Sequence, residues 1–202
     1  MRENSTTPGL RLRTRRLVTE ALSDTALELF DASGFDQVTV ADIARAAGIS
    51  PRSFFRYFPN KEDVVFGDRI PTAEEVRDEL CRHLAGHTPW DALRETFVVA
   101  AGQMDADAGR WKRATRVICH TPALRARYLE KHLAWTGVLV PELAARLQPG
   151  GGPVARLKAQ TMVNTALACF DVALESWADG EDGRTLAALV GEIFGFVDIP
   201  HT

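Results

Sequence analysis

The sequence predicts an all-α protein, and three observations carry that prediction. Apolar residues recur at three- and four-residue steps along most of the chain, and alternating stretches of strand length are almost wanting. Ser, Thr and Pro stand where helical segments open, and Gly stands where they close. Over residues 39–58 a short capped segment, a Gly-containing turn and a second short segment follow one another.

The 202 residues are 46% hydrophobic and 25% charged, a balance that excludes wholesale disorder and suffices for a real core. No apolar run approaches the roughly 18 residues of a membrane span. The opening Met1–Pro8 lacks the apolar stretch of a secretory signal, so a cytoplasmic location is expected. Cys81, Cys119 and Cys169 are widely spaced and form neither a CxxC pair nor a zinc pattern. They read as small apolar core fillers in a reducing compartment. No GxSxG, P-loop, HExxH or dinucleotide fingerprint is present, and the acids are scattered singly. Neither an enzyme, nor a cofactor, nor a metal is expected; His120 and His132 have no ligand partner at suitable spacing.

Net charge is −3, but the signs are separated. Arg11, Arg13, Arg15 and Arg16 form a basic arm, and Arg52, Arg56 and Lys61 form a second basic group. Between them lie the acids Glu20, Asp24, Glu28 and Asp31. Two basic groups in a domain of zero net charge point to local contact with a polyanion.

Each helix follows in order. The first is expected over about Thr14–Ala32, with Leu17, Ala21, Leu22, Thr25, Ala26, Leu29 and Phe30 inward and Ser33-Gly34 as the stop. Thr39 is an N-cap with Asp42 three residues on, and Val40, Ile43, Ala44 and Ala47 share a face. Gly48 suits the left-handed residue that ends this short helix. Ser50 caps the next one, and Pro51 fits its first position, where a missing N–H costs nothing. Phe54 and Phe58 lie four apart and face the core, which leaves Arg52, Ser53, Arg56 and Tyr57 outward. This is the grammar of a helix–turn–helix, whose second helix enters the major groove of DNA. Arg52 and Arg56 are one turn apart, and arginine is the commonest reader of guanine O6 and N7.

These residues resemble the TetR family of one-component transcriptional regulators. The resemblance runs through Ala26-Leu27-Glu28-Leu29-Phe30, Gly34-Phe35, Thr39–Ala44, Ala47-Gly48-Ile49-Ser50, Phe54–Phe58 and Asn60-Lys61-Glu62-Asp63. It implies a dimer of roughly nine to ten helices per chain, with three N-terminal helices binding DNA and a C-terminal bundle that dimerises and takes a small molecule. Ligand binding would part the two DNA-reading helices and release the operator. The expected division is 1–13, a flexible basic arm disordered without DNA; 14–69, the helix–turn–helix domain; and 70–202, the ligand-binding and dimerisation domain. Carried over by position, Thr39 would contact phosphate, and Pro51, Arg52, Ser53 and Arg56 would lie at the groove. Tyr57 and Lys61 would hold backbone phosphate, and Arg11, Arg13, Arg15 and Arg16 would add phosphate or minor-groove contacts. Phe55 departs from the tyrosine of many relatives; it cannot bond a phosphate, although it can touch a thymine methyl or a sugar.

A loop over Pro71–Glu75 is expected to lead into a helix ending near Gly86, and further helices are expected from Thr88-Pro89 and over Arg110–His120, Ala123–Leu147, Val154–Asp179 and Gly183–Phe196. Pocket candidates are Trp90, Phe97, Met104, Trp111, Val117, Trp135, Phe170 and Trp177, with His120, His132 and Asn164 as polar orienters. The segment 110–131 holds seven Lys/Arg against Glu130 alone, which marks Arg113 and Arg116 as candidate contacts to an anionic effector. The layout of this half is similar to that of actinobacterial-type regulators of acyl-CoA-like ligands. The Val154–Asp179 helix is apolar on most sides and needs two packing partners. Met162, Val163, Ala166 and Leu167, with Leu189, Ile193 and Phe194, are therefore the expected dimer interface. The expected partners are a palindromic DNA operator, a small hydrophobic or amphipathic effector and a second copy of the chain, without a membrane. The alternative is a DNA-binding architectural protein that has no effector.

Overall fold

The computed structural model describes residues 8–67, 70–148, 152–180 and 183–197, with side chains from Arg13 onward. It contains helices and no strand among the described residues. The chain divides into two compact units between Ile70 and Pro71.

The first unit holds α1 (Pro8–Ser33), α2 (Val40–Ala46), α3 (Pro51–Tyr57) and α4 (Asp63–Phe66). Helix α1 starts at Pro8 rather than near Thr14, so the backbone at Arg11 and Arg13 is helical where a flexible arm was expected. Residues 1–7 of that arm, and the Arg11 side chain, lie outside the described residues. The buried face of α1 is also rotated from the expected one. Leu17 is 62% exposed and Ala21 is exposed, while Thr19, Leu22, Ser23, Ala26, Leu27 and Phe30 are buried. Thr19 can turn inward because its hydroxyl donates to the carbonyls of Arg15 and Arg16. Gly34 ends the helix at φ +81°, and Phe35 turns back to lie 4.9 Å from the Phe30 ring.

Local chemistry fixes α2 and α3. The Thr39 hydroxyl accepts the Asp42 backbone N–H, while the Asp42 carboxylate accepts the Thr39 N–H. Gly48 takes φ +68°, a conformation costly for any residue with a Cβ. Ser50 accepts the Ser53 N–H, and Pro51 opens the helix. Phe54 is fully buried and Phe58 nearly so, their rings 5.6 Å apart.

The second unit holds α5 (Ala73–Leu84), α6 (Pro89–Asp105), α7 (Ala108–Cys119), α8 (Pro122–Leu147), α9 (Pro153–Asp179) and α10 (Leu186–Gly195). Helix α9 lies at the centre and packs against α6, α7, α8 and α10. The core is an aromatic stack: Trp90 lies 5.0 Å from Phe194, and Phe97 lies 5.1 Å from Phe170 and 6.0 Å from Phe194. This corrects the expected dimer interface. Met162, Val163, Ala166, Leu167, Leu189 and Phe194 are buried within one chain, and Ile193 is half-buried. Helix α9 does need more than one packing partner, and α6, α7, α8 and α10 of its own chain all pack against it. Cys81 departs from the core-filler expectation as well: it is exposed, whereas Cys119 is half-buried and Cys169 buried.

The start of α10 is tied across the bundle. The Asp105 carboxylate at the end of α6 accepts the backbone N–H groups of Leu186 and Ala187 at 2.7 and 3.0 Å. A carboxylate at a helix N-terminus satisfies orphan donors and opposes the dipole. We expect Asp105→Ala to lower unfolding free energy by about 2 kcal/mol in urea denaturation, since hydrogen bonds to a charged group are each worth roughly 1.5–3 kcal/mol and the site is partly hydrated.

Candidate nucleic-acid interface and effector region

On α3 the burial of Phe54 and Phe58 leaves Pro51, Arg52, Phe55 and Arg56 exposed, with Ser53 and Tyr57 half-buried. Phe55 is 54% exposed, a large apolar ring left in water. Tyr57 gathers the cations. An Arg56 Nη donates to its hydroxyl at 2.9 Å and the guanidinium carbon lies 4.9 Å from its ring centre. Arg15, on α1, approaches the same ring to 6.0 Å. The two basic groups that are far apart in sequence therefore meet at Tyr57. Arg13 is exposed, and exposed Arg16 is paired with Glu20 at 3.1 Å.

Two expected phosphate contacts do other work in the free chain. The Thr39 hydroxyl is spent on its cap: it donates to Asp42 at 2.6 Å and accepts the Asp42 N–H. These bonds hold the Asp42 carboxyl below the usual carboxylate range, helped less by Arg45. Lys61 donates to the carbonyls of Phe35 and Val38 at 2.9 and 3.1 Å, and its ammonium lies 3.9 Å from the Phe35 ring centre. It fastens the segment between α1 and α2, so two of its three donors are occupied.

The pocket candidates scatter. Trp90, Phe97 and Phe170 belong to the core stack, and Val117 is buried. The Trp135 indole N–H donates to the Pro71 carbonyl, and Trp177 is buried with the Lys112 ammonium 5.3 Å from its ring centre. Met104, Trp111 and Arg113 are half-buried. His120 is exposed, its Nδ1 bonded to the Arg116 carbonyl, and exposed Asn164 is bonded to Gln160. These two histidine and asparagine orienters therefore face solvent. The basic segment is largely committed too. Lys112 donates to the Gly180 carbonyl and Arg116 to the Ala178 carbonyl, which places two cations on the C-terminal end of α9. Arg125 pairs with Glu175 at 3.6 Å, and Arg127 with Glu130 at 2.7 Å.

Sequence reasoning missed the polar cluster between α8 and α9. The Tyr128 hydroxyl donates to Asp171 at 2.7 Å, and buried His132 Nε2 stands 3.6 Å from the same oxygen. Burial pushes the Asp171 carboxyl and the Tyr128 phenol up, and pushes the His132 imidazole down. A signal was there: Tyr128 and His132 are one turn apart, and Asp171 is a lone acid in the apolar run Ala166–Leu174.

A capped helix–turn–helix in one unit and an all-helical bundle in the other are the architecture of a DNA-binding regulator. The comparisons give the family. A model described as bacterial regulatory proteins of the tetR family matches residues 22–66, and one described as the MftR C-terminal domain matches residues 87–200, more than half of the chain. The chain is 32% identical over 177 residues to MftR of Mycobacterium tuberculosis, a regulator named for mycofactocin biosynthesis, with 88% of each chain covered. It is 34% identical over 145 residues to the HTH-type transcriptional regulator TcmR of Streptomyces glaucescens, covering 69% of this chain and 64% of that one. Among solved structures it resembles FadR of Thermus thermophilus, a TetR-family repressor in complex with lauroyl-CoA. That similarity has a TM-score of 0.55 at 25% identity, over 88% of this chain and 92% of that one. The chain belongs to the TetR family of transcriptional regulators, and its second unit is an MftR-type C-terminal domain.

The geometry separates reading from scaffolding. Arg56→Ala should weaken operator binding by about 1–3 kcal/mol and relax preference at one base position, as read by anisotropy on base-substituted duplexes. Lys61→Met should instead lower unfolding stability by about 1.5 kcal/mol and leave the salt slope of DNA binding unchanged.

Proposed function

We propose that the chain is a ligand-responsive repressor that binds a palindromic operator as a homodimer and is released by a small hydrophobic or amphipathic effector. The observation that carries the reading is the exposed face of α3, where Arg52, Phe55 and Arg56 stand clear of a core sealed by Phe54. A cytoplasmic, non-enzymatic role is part of this proposal, supported by relatives that are transcriptional regulators. Acyl-CoAs are the first effector class, supported by the lauroyl-CoA of the FadR structure.

The dimer is assigned to the outer faces of α8 and α9. Leu133 is 72% exposed, and Gly137, Pro141 and Ala145 continue its line along α8. On α9 the matching line is Val154, Leu157, Thr161, Ala168 and Val172, with Leu157 69% exposed. Gly137 has open space where a Cβ would stand, so a second backbone can approach closely. Two such helices per chain make a four-helix contact with two-fold symmetry. That symmetry sets two α3 helices on successive turns of one DNA face.

Fluorescence anisotropy on duplex from the chain's own upstream region, against an unrelated duplex, tests the reading. Specific binding that survives roughly 150 mM salt and falls on adding lauroyl-CoA is expected. Equal, salt-labile binding to both duplexes would contradict it, and specific binding indifferent to every acyl-CoA would favour an architectural protein. Leu133→Glu combined with Leu157→Glu should give a folded monomer by sedimentation, with operator affinity reduced at least tenfold.

A further inference from the structure

The exposed face of α3 carries two chemistries side by side. Arg52 and Arg56 are one turn apart and both exposed, which makes a cationic ridge. Pro51 and Phe55 are also one turn apart and both exposed, which makes an apolar ridge next to it. Phe55 is the large member of that ridge, with 54% of its surface in water.

The base of the Phe55 ring is fixed by the core. The ring meets Phe54 edge to face, with centroids 5.6 Å apart and planes at 89°. Phe54 is fully buried, so it cannot give way. Arg56, the next residue, is held in turn by the Tyr57 hydroxyl at 2.9 Å. A phenyl ring has neither donor nor acceptor, so a phosphate oxygen or a polar base edge offers it no bond. It gains only from an apolar surface brought against it.

A duplex presents few such surfaces. In the major groove the base edges carry donors, acceptors and one kind of apolar group, the C5-methyl of thymine. Deoxyribose is also apolar in part, but it lies along the backbone, whereas Phe55 shares its helix face with the arginines assigned to the groove. The cationic ridge supplies the charge complementarity that brings the duplex to this face.

We propose that Phe55 is a specificity residue of the DNA interface: its ring packs on the C5-methyl of a thymine in each operator half-site, beside the base pair read by Arg56. This rests on the reading of α3 as the helix that contacts DNA, and adds the base that the apolar ridge selects. Contact removes apolar surface from water on both partners. Uracil presents the same hydrogen-bonding edge as thymine and lacks only the methyl, so it isolates the contact.

The purified full chain is first used to select bound duplexes from a random-sequence pool. A motif with a fixed thymine in each half-site is expected. Each thymine of the selected duplex is then replaced by deoxyuridine and binding is read by anisotropy. At one thymine per half-site the replacement should weaken wild-type binding about fourfold, the worth of one buried methyl. Phe55→Ala should bind the thymine duplex more weakly by at least that factor and should not distinguish it from the deoxyuridine duplex. The deoxyuridine scan of the wild-type chain needs no variant, so a folding defect in Phe55→Ala does not decide the outcome. Wild-type binding indifferent to deoxyuridine at every thymine would overturn the proposal, and uniform weakening by Phe55→Ala would then place the ring on sugar. Failure to enrich any motif would contradict the DNA-reading assignment of α3 and this proposal together, whereas a motif insensitive to deoxyuridine contradicts this proposal alone.

Discussion

Burial of Phe54 and Phe58 on one side of a seven-residue helix is the constraint on which the DNA-binding unit depends. A helix that short is not stable in isolation. Helix α3 exists because Ser50 and Pro51 start it, and because two buried rings four residues apart anchor it in the core of its unit, where it packs against α2. Once Phe54 is fully buried, helical geometry leaves no choice for Arg52 and Arg56: they must project outward. The Thr39–Asp42 box and the left-handed Gly48 set the angle at which the helix is presented. Lys61 then secures the loop that leads into the box.

The second unit is organised differently. Helix α9 is long, rich in apolar residues and packed against four other helices. Its C-terminal carbonyls are held by Lys112 and Arg116 from α7, which converts much of a basic segment into scaffolding. In the middle of the same helix sits Asp171, a half-buried carboxyl answered by Tyr128 and His132 of α8.

What the sequence disclosed followed the range of the interactions. The caps at Thr39, Ser50 and Thr88, and the turn at Gly48, are made between residues within four positions, and spacing alone reveals them. Phe54 and Phe58 were legible as core for the same reason. Helix α1 begins earlier than expected: Thr7-Pro8 has the same Thr-Pro order as Thr88-Pro89, but the basic residues that follow it read as an arm. The interface was misplaced because an all-round apolar helix does not say which side its own chain covers: Met162 and Leu167 face the core, whereas Leu157 and Val172 do not. Tyr128 and Asp171 are separated by 43 positions, and only the fold brings them together. Arg116 illustrates the converse, a cation marked as a candidate anion contact that also binds a helix end invisible in sequence.

Hydrogen–deuterium exchange with and without duplex from the chain's own upstream region tests the central claim most directly. Protection is predicted in peptides spanning Thr39–Phe58 and in the part of α1 that carries Arg13–Arg16, with the Leu133 and Leu157 segments unchanged once the dimer is formed. Protection confined to α8 and α9, or spread evenly over both units with none at α3, would contradict the assignment of α3 as the helix that reads DNA.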